Sequence, residues 1–381
     1  MIPLAIPNLA GNEGRYLEEC VASNFVSSVG PFVRRFEQMV AASTGAVDAV
    51  AVSTGTVGLH LALVTAGVER DDLVVLPALT FIASANAIAH CGATPWLFDV
   101  SEESWTLDPR SLDHALAAET ERRGDRVIHR ATGRRVAAIM PVHTLGHPAD
   151  MDAIAAVAER HGLPIVADGA AALGATYKGR PAARLGAALT VISFNGNKTV
   201  TAGGGGALVG SDRALLDTAR HLSTTARVGE EYEHDRVGYN YRMTNLQAAV
   251  GCAQMELLDR FVAAKRRIAR RYDEAFADVK GAGRFPAAPW AESACWFSGL
   301  MVDTADSGEL RAQLRGNGID ARPFWKPMHL QAPYRDAPRT PLPVTDSVWR
   351  RIVTLPCSTQ LTDAEQEHVI ARTRAALAGG S

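Results

Sequence analysis

The sequence is short of several things, and each shortage removes a class of function. An excess of charge of one sign is nearly missing. Its 39 Lys and Arg stand against 41 Asp and Glu, a formal net charge of -2. No global field therefore draws the chain to nucleic acid or to an anionic membrane. No apolar run reaches about 18 residues, the length that suggests a membrane span. Pro3 and Pro7 interrupt the opening stretch, where a secretory leader needs a continuous apolar core. Cysteine is scarce and scattered: Cys20, Cys91, Cys252, Cys295 and Cys357. An odd count without any CxxC spacing argues against a disulfide framework and against a zinc knuckle. The expectation is a cytoplasmic protein with reduced thiols and no metal. Short repeats and low-complexity segments are also missing.

What remains is a chain of ordinary enzyme composition, 47% hydrophobic and 21% charged over 381 residues. That length supports two domains. Apolar runs alternate with helical patterns. Strands are expected at 72–76, 94–100, 136–142, 164–168 and 190–194, and helices at 32–43, 56–67, 80–90, 108–122 and 150–161. Continuous Val/Ile/Ala strands between helices predict an α/β fold, with a mainly parallel sheet covered on both faces. The polar, Arg-rich stretch 119–135 reads as an exposed excursion. A helical pattern from Thr244 to about Val279 reads as one long connecting helix, with Lys265, Arg266, Arg267, Arg270 and Arg271 on a solvated face. Beyond it the pattern becomes mixed, with a strand at 297–303, helices at 306–315 and 361–377, and a loop at 322–343. The division is placed as a large domain, 1–250, and a smaller α+β domain, 251–381.

Two ionisable residues stand out in this frame. Asp168 closes the apolar run Leu163 to Ala167, and Lys198 follows the strand that ends in Ser193-Phe194. Both fall at the carboxyl edge of the sheet, where open α/β folds bind ligands. An unpaired ammonium buried there would cost several kcal/mol. An amine that captures an aldehyde as a Schiff base, opposite a fixed anion that keeps a ring nitrogen protonated, is what pyridoxal phosphate chemistry requires. Ser53-Thr54-Gly55-Thr56 opens a helix, and a helix N-terminus with small residues suits a phosphate. Ser193 offers a further hydroxyl. The run Gly203 to Gly206 lacks dinucleotide-binding spacing and reads as backbone freedom close to the lysine. Phe81 falls after the strand 72–76, where it either packs or lays its face on a ring. His143 follows another strand and is a core histidine or a site residue with equal reason.

The segments "VSTGTVGLHLAL", "PALTFIASANAIAHCGATP", "PVHTLGHPADMDAI", "SFNGNKTVTAGGGG" and "VGYNYRMTNLQAAVG" occur in an order that resembles the DegT-type sugar-nucleotide aminotransferases. The "SFNGNKTVTAGGGG" block and the opening "IPLAIPNLAGNE" look most like the subgroup that makes UDP-4-amino-6-deoxy-N-acetyl sugars. The resemblance implies PLP fold type I, the aspartate aminotransferase fold, in a homodimer with shared active sites. It implies transamination of a nucleotide-linked 4-keto-6-deoxy sugar, a UDP-2-acetamido-4-keto sugar in that subgroup, with L-glutamate as amino donor. By position, Lys198 would be catalytic and Asp168 would bind the ring nitrogen. Gly55, Thr56 and Ser193 would hold the phosphate, and Phe81 would stack on the ring. Asn240 would reach the phosphate of the neighbouring subunit, and Arg322 and His329 would line the substrate side. One departure is visible: Ala171 stands three residues after the aspartate, where relatives carry a polar side chain. Other reactions or keto sugars on the same scaffold, and a pyridoxal phosphate-binding regulator without turnover, are the alternative readings.

Overall fold

The structure is a computed structural model, and it describes residues 1–181, 185–304 and 306–379. Its central layer is built from strands buried at every position: Asp48–Val52, Leu73–Pro77, Leu189–Ser193 and Gly206–Gly210. Such strands have no solvent face, so helices must cover both sides. One four-stranded sheet runs Asp48–Val52, Gly206–Gly210, Leu189–Ser193, Val166–Asp168. A five-stranded sheet runs Thr94–Phe98, Leu73–Pro77, Arg135–Ile139, Arg126–His129, Thr120–Arg123. Parallel bridges from Ile139 to Ile165 and from Val142 to Asp168 join the two. The pairings of 73–77 with 94–98 and 135–139, and of 166–168 with 189–193, are parallel. Gly206–Gly210 is antiparallel to both its neighbours.

The helices begin and end where their chemistry dictates. Asp150 caps Met151–His161 by accepting from the Ala153 amide, and Gly162 ends it at φ 66°. Pro31 starts Pro31–Thr44, and Gly45 stops it at φ 68°. Thr244 and Gln247 form a capping box on Asn245–Met255.

Three expectations are corrected here. The stretch 119–135 is a hairpin, Thr120–Arg123 with Arg126–His129, that extends the sheet and buries Val127 and Ile128. Arg123 and Arg130 are exposed and pair with Glu121. The long helix is two helices, Asn245–Met255 and Leu258–Phe276, broken at Glu256-Leu257. Lys265 is not on a solvated face. It lies on the stripe Phe261, Lys265, Ile268, Tyr272 and is buried, with Nζ donating to the carbonyls of Trp296 at 2.8 Å and Cys357 at 2.7 Å.

The C-terminal layer is an antiparallel sheet ordered Ala282–Gly283, Ser298–Val302, Ile352–Leu355, Arg322–Pro323. Its apolar cluster starts at Ile268, and Ile2 packs against it. Residue 250, where the sequence division falls, lies inside the helix Asn245–Met255. Among the described residues no helix is long and apolar enough to cross a membrane.

Candidate active site

Strand ends at the carboxyl edge of the sheet open onto one cavity of about 520 Å³, closed on its far side by the C-terminal layer. Asp168 is the last residue of its strand and is buried. Ser84 Oγ donates to Oδ2 at 2.7 Å, and the Ala170 amide donates to Oδ1 at 3.0 Å. Burial pushes the Asp168 carboxyl above its ordinary range, against those hydrogen bonds and the charge of Lys198. Lys198 sits in a turn, its amide donating to the Asn195 carbonyl at 2.9 Å. Burial lowers its ammonium to about 8, with Asp168 acting in the opposite sense. Two oppositely charged groups, both pushed toward neutrality, thus face the same space.

The corner of the cavity that suits an anion is equally specific. Gly55 begins the helix Gly55–Thr65, and Thr54 Oγ1 caps it by accepting from the Val57 amide at 3.3 Å. The amides of Gly55 and Thr56 lie at the helix N-terminus on the cavity wall, where the dipole favours an anion. A Cβ on Gly55 would stand 3.0 Å from Ser193 Cβ, and one on Gly206 would stand 2.9 Å from Gly55 N. Glycine at both positions is what lets helix start and strand close around this corner. Gly205, at φ 110°, also needs the freedom of glycine.

Lys198, Asp168, Gly55, Thr56, Ser193, Phe81, His143, Ala171 and Arg322 all line the cavity. Phe81 is 54% exposed, a large apolar face left open to the cleft. His143 has both characters foreseen for it: it is buried, its Nδ1 accepts from the Ala149 amide at 3.2 Å, and it lines the wall. Arg322 turns its guanidinium onto Asp320, with contacts of 3.0 and 2.8 Å. Two residues are not brought to the cavity of their own chain. His329 is buried one layer behind, with Nε2 2.9 Å from Asp346 Oδ1. Asn240 is exposed and bridges to Thr224.

Sequence reasoning passed over part of the wall. Trp296, Phe297 and Trp325 line it, and Phe81 and Trp325 lie with ring centroids 5.9 Å apart. Ser84, which holds Asp168, was also unmarked. The aromatic run Phe324-Trp325 beside Arg322 was the available signal for one of these. Ser84 and Trp296 carried none.

A buried anion, an amine lowered to about 8 and a glycine-lined helix N-terminus on one cavity fit pyridoxal phosphate. The ring nitrogen would lie at Asp168, the aldehyde at Lys198 and the phosphate at Gly55-Thr56. Fold and site together define a PLP-dependent enzyme of fold type I.

Residues 7–374 match the DegT/DnrJ/EryC1/StrS aminotransferase family, and the chain belongs to it. It is a PLP-dependent aminotransferase. Among its relatives is the GDP-perosamine synthase of Caulobacter vibrioides, 36% identical over 375 residues, 97% of this chain and 96% of that protein. The GDP-perosamine synthase of Escherichia coli O157:H7 is 35% identical over 353 residues, 92% of each. The crystal structure of the aminotransferase TlmJ from Streptoalloteichus hindustanus superposes with a TM-score of 0.90 at 30% identity, covering 100% of this chain and 99% of that one.

Proposed function

We propose that the protein transfers the amino group of L-glutamate to the keto carbon of a nucleotide-linked 4-keto-6-deoxy sugar. The observation that carries this is the convergence of Lys198, Asp168 and the Gly55-Thr56 helix start on one cavity, in a chain of this family. When bound, pyridoxal phosphate supplies an electron sink that lets a Cα proton leave.

The chain's own groups do the rest. Lys198 Nζ holds the cofactor and, once released, takes the Cα proton of the donor and returns it on the other side of the transfer. With its ammonium at about 8, roughly one molecule in ten carries the free amine at pH 7. An ordinary lysine would offer roughly one in three thousand. Asp168, held by Ser84 and the Ala170 amide, presents the fixed anion. Gly55, Thr56 and Ser193 bind the phosphate, and Phe81 covers the ring. Arg322 meets the substrate from the C-terminal layer, with His329 supporting that wall through Asp346. Asn240 reaches the phosphate site of the neighbouring subunit, which makes the working unit a homodimer.

Two sugar classes have support. The motif resemblance points to a UDP-2-acetamido-4-keto sugar, and the similarity to GDP-perosamine synthases points to a GDP-linked one. Incubating the enzyme with glutamate and a panel of UDP-, GDP- and dTDP-linked 4-keto sugars, then weighing products by mass spectrometry, separates them. An amino sugar product with stoichiometric 2-oxoglutarate is expected for one class. Cofactor binding without product on any sugar would favour the regulator instead. Lys198→Ala should lose the visible absorbance of the bound cofactor and at least the about 10²–10⁴-fold that acid–base transfer contributes.

A further inference from the structure

Trp296 is held on several sides at once. Its backbone amide donates to the Leu145 carbonyl at 3.1 Å, and its own carbonyl accepts from buried Lys265 at 2.8 Å. Phe297 stacks on it with centroids 4.0 Å apart and planes 19° from parallel. Its indole Nε1 donates to the carbonyl of Asn197, the residue before Lys198, at 2.7 Å. The face of the ring lies 3.5 Å from Lys198 Nζ. A cation is attracted to an indole face within about 6 Å of the centroid, and more strongly where water is excluded. Among the described residues no carboxylate pairs with Nζ at salt-bridge distance, so the ring is its close electrostatic partner.

We propose that Trp296 is a positioning residue for proton transfer, whose indole face holds the Lys198 ammonium between taking a proton and giving it back, while its N–H fixes the loop that carries the lysine. This rests on the reading of Lys198 as the proton carrier. Burial drives the group toward the neutral amine, which abstracts a proton well but holds the transferred proton poorly. The indole opposes that drive in the charged state alone. The other charged or titratable groups near this spot are Asp168, His143 and Arg322 on the cavity walls, and Lys265 and the Cys357 thiol at the backbone carbonyl of Trp296. None of them is altered by changing the ring.

The test uses tryptophans carrying one, two or three ring fluorines at position 296, which keep shape and N–H while draining the face of negative potential. The chain has five lysines, Lys178, Lys198, Lys265, Lys280 and Lys326. The full-length protein labelled with ε-¹³C lysine, before cofactor is added, therefore gives a resolvable NMR titration, with Lys198 assigned by its loss in Lys198→Ala. The Lys198 midpoint should fall stepwise with fluorine count, by about one pH unit in total, a tenfold change in proton affinity. In the holoenzyme kcat should fall with it, while the KM for glutamate stays within about twofold. Trp296→Phe keeps a face and loses the N–H. Its midpoint should stay near that of the parent while kcat drops severalfold. A flat fluorine series overturns the electrostatic role, and an unchanged kcat in Trp296→Phe overturns the loop-fixing role. Full turnover by Lys198→Ala would instead remove the catalytic reading beneath both.

Discussion

Burial holds the Lys198 ammonium at about 8 against an ordinary 10.5, so between these values the unfolded chain binds more protons at this residue than the folded one. Stability then rises with pH across that window and is lowest, as far as this group is concerned, below about 8. The cost at neutral pH is at most about 3 kcal/mol. Lys198→Met, measured without cofactor, should raise Tm at pH 7, with the gain shrinking from pH 8 to 10.5; a gain independent of pH would disprove the linkage. Asp168 is the counterpart. Ser84→Ala removes a hydrogen bond that lowers the carboxyl, so Asp168 should stay protonated to higher pH. Cofactor affinity should weaken about tenfold, the size of a hydrogen bond to a charged group. Spectrophotometric titration at pH 6 and 8 checks it, with the larger loss at pH 6. Asp168 was legible in the sequence because a charged residue at the end of a buried strand stands out by itself, and Lys198 because it follows such a strand just ahead of a glycine run. Ser84 lies 84 residues from Asp168, and Trp296 lies 99 from Asn197. Contacts so distant leave no local trace.

Elements were legible where period and caps agree. The helices started by Pro31 and Asp150 lie within a residue or so of expectation, because a cap is a local device. Elements whose fate depends on what covers them were not. The hairpin at 120–129 looked too polar for a sheet because only Thr120, Val127, Ile128 and His129 are buried. Lys265 looked solvated because the carbonyls that receive it come from Trp296 and Cys357. Removing it by Lys265→Ala should cost about 1–3 kcal/mol for each carbonyl left unsatisfied, read by denaturant unfolding. The glycine corner makes a sharper prediction. In Gly206→Ala the new methyl meets backbone atoms of Thr54 and Gly55 at 2.9 Å, which a side-chain rotation cannot relieve. The helix start must shift, at about 1–3 kcal/mol. Because the shift falls on the phosphate corner, pyridoxal phosphate affinity should drop by at least about tenfold while the far-UV spectrum is kept. Unchanged affinity would move the phosphate elsewhere.

At the scale of the whole molecule, the proposed reach of Asn240 into a neighbouring subunit requires it to be exposed on its own chain, as it is. Val21, Phe25, Val26 and Val29 form an exposed apolar stretch, and Val237 and Tyr232 are exposed beside the Asn240 segment. The first stretch is anchored at the start of the helix that follows the Asn240 segment, since Asn245 Nδ2 donates to the Phe25 carbonyl at 2.8 Å and the Asn245 amide to the Ser27 carbonyl. A monomer would leave this surface in water, whereas the proposed two-fold dimer would cover it on both subunits and bring each Asn240 toward the other's phosphate corner. The arrangement has a consequence that no single-chain site shares. Lys198→Ala and Asn240→Ala would each be defective as homodimers. Mixed after dissociation and reassociation, half of the dimers contain one of each chain. In such a dimer one site carries both defects and the other carries neither. About a quarter of all sites should then be intact, so activity per site should recover to about a quarter of the parent enzyme when the chains are mixed in equal amounts. If Asn240 served the site of its own chain, every site in the mixture would keep one defect, and no recovery would occur at any ratio.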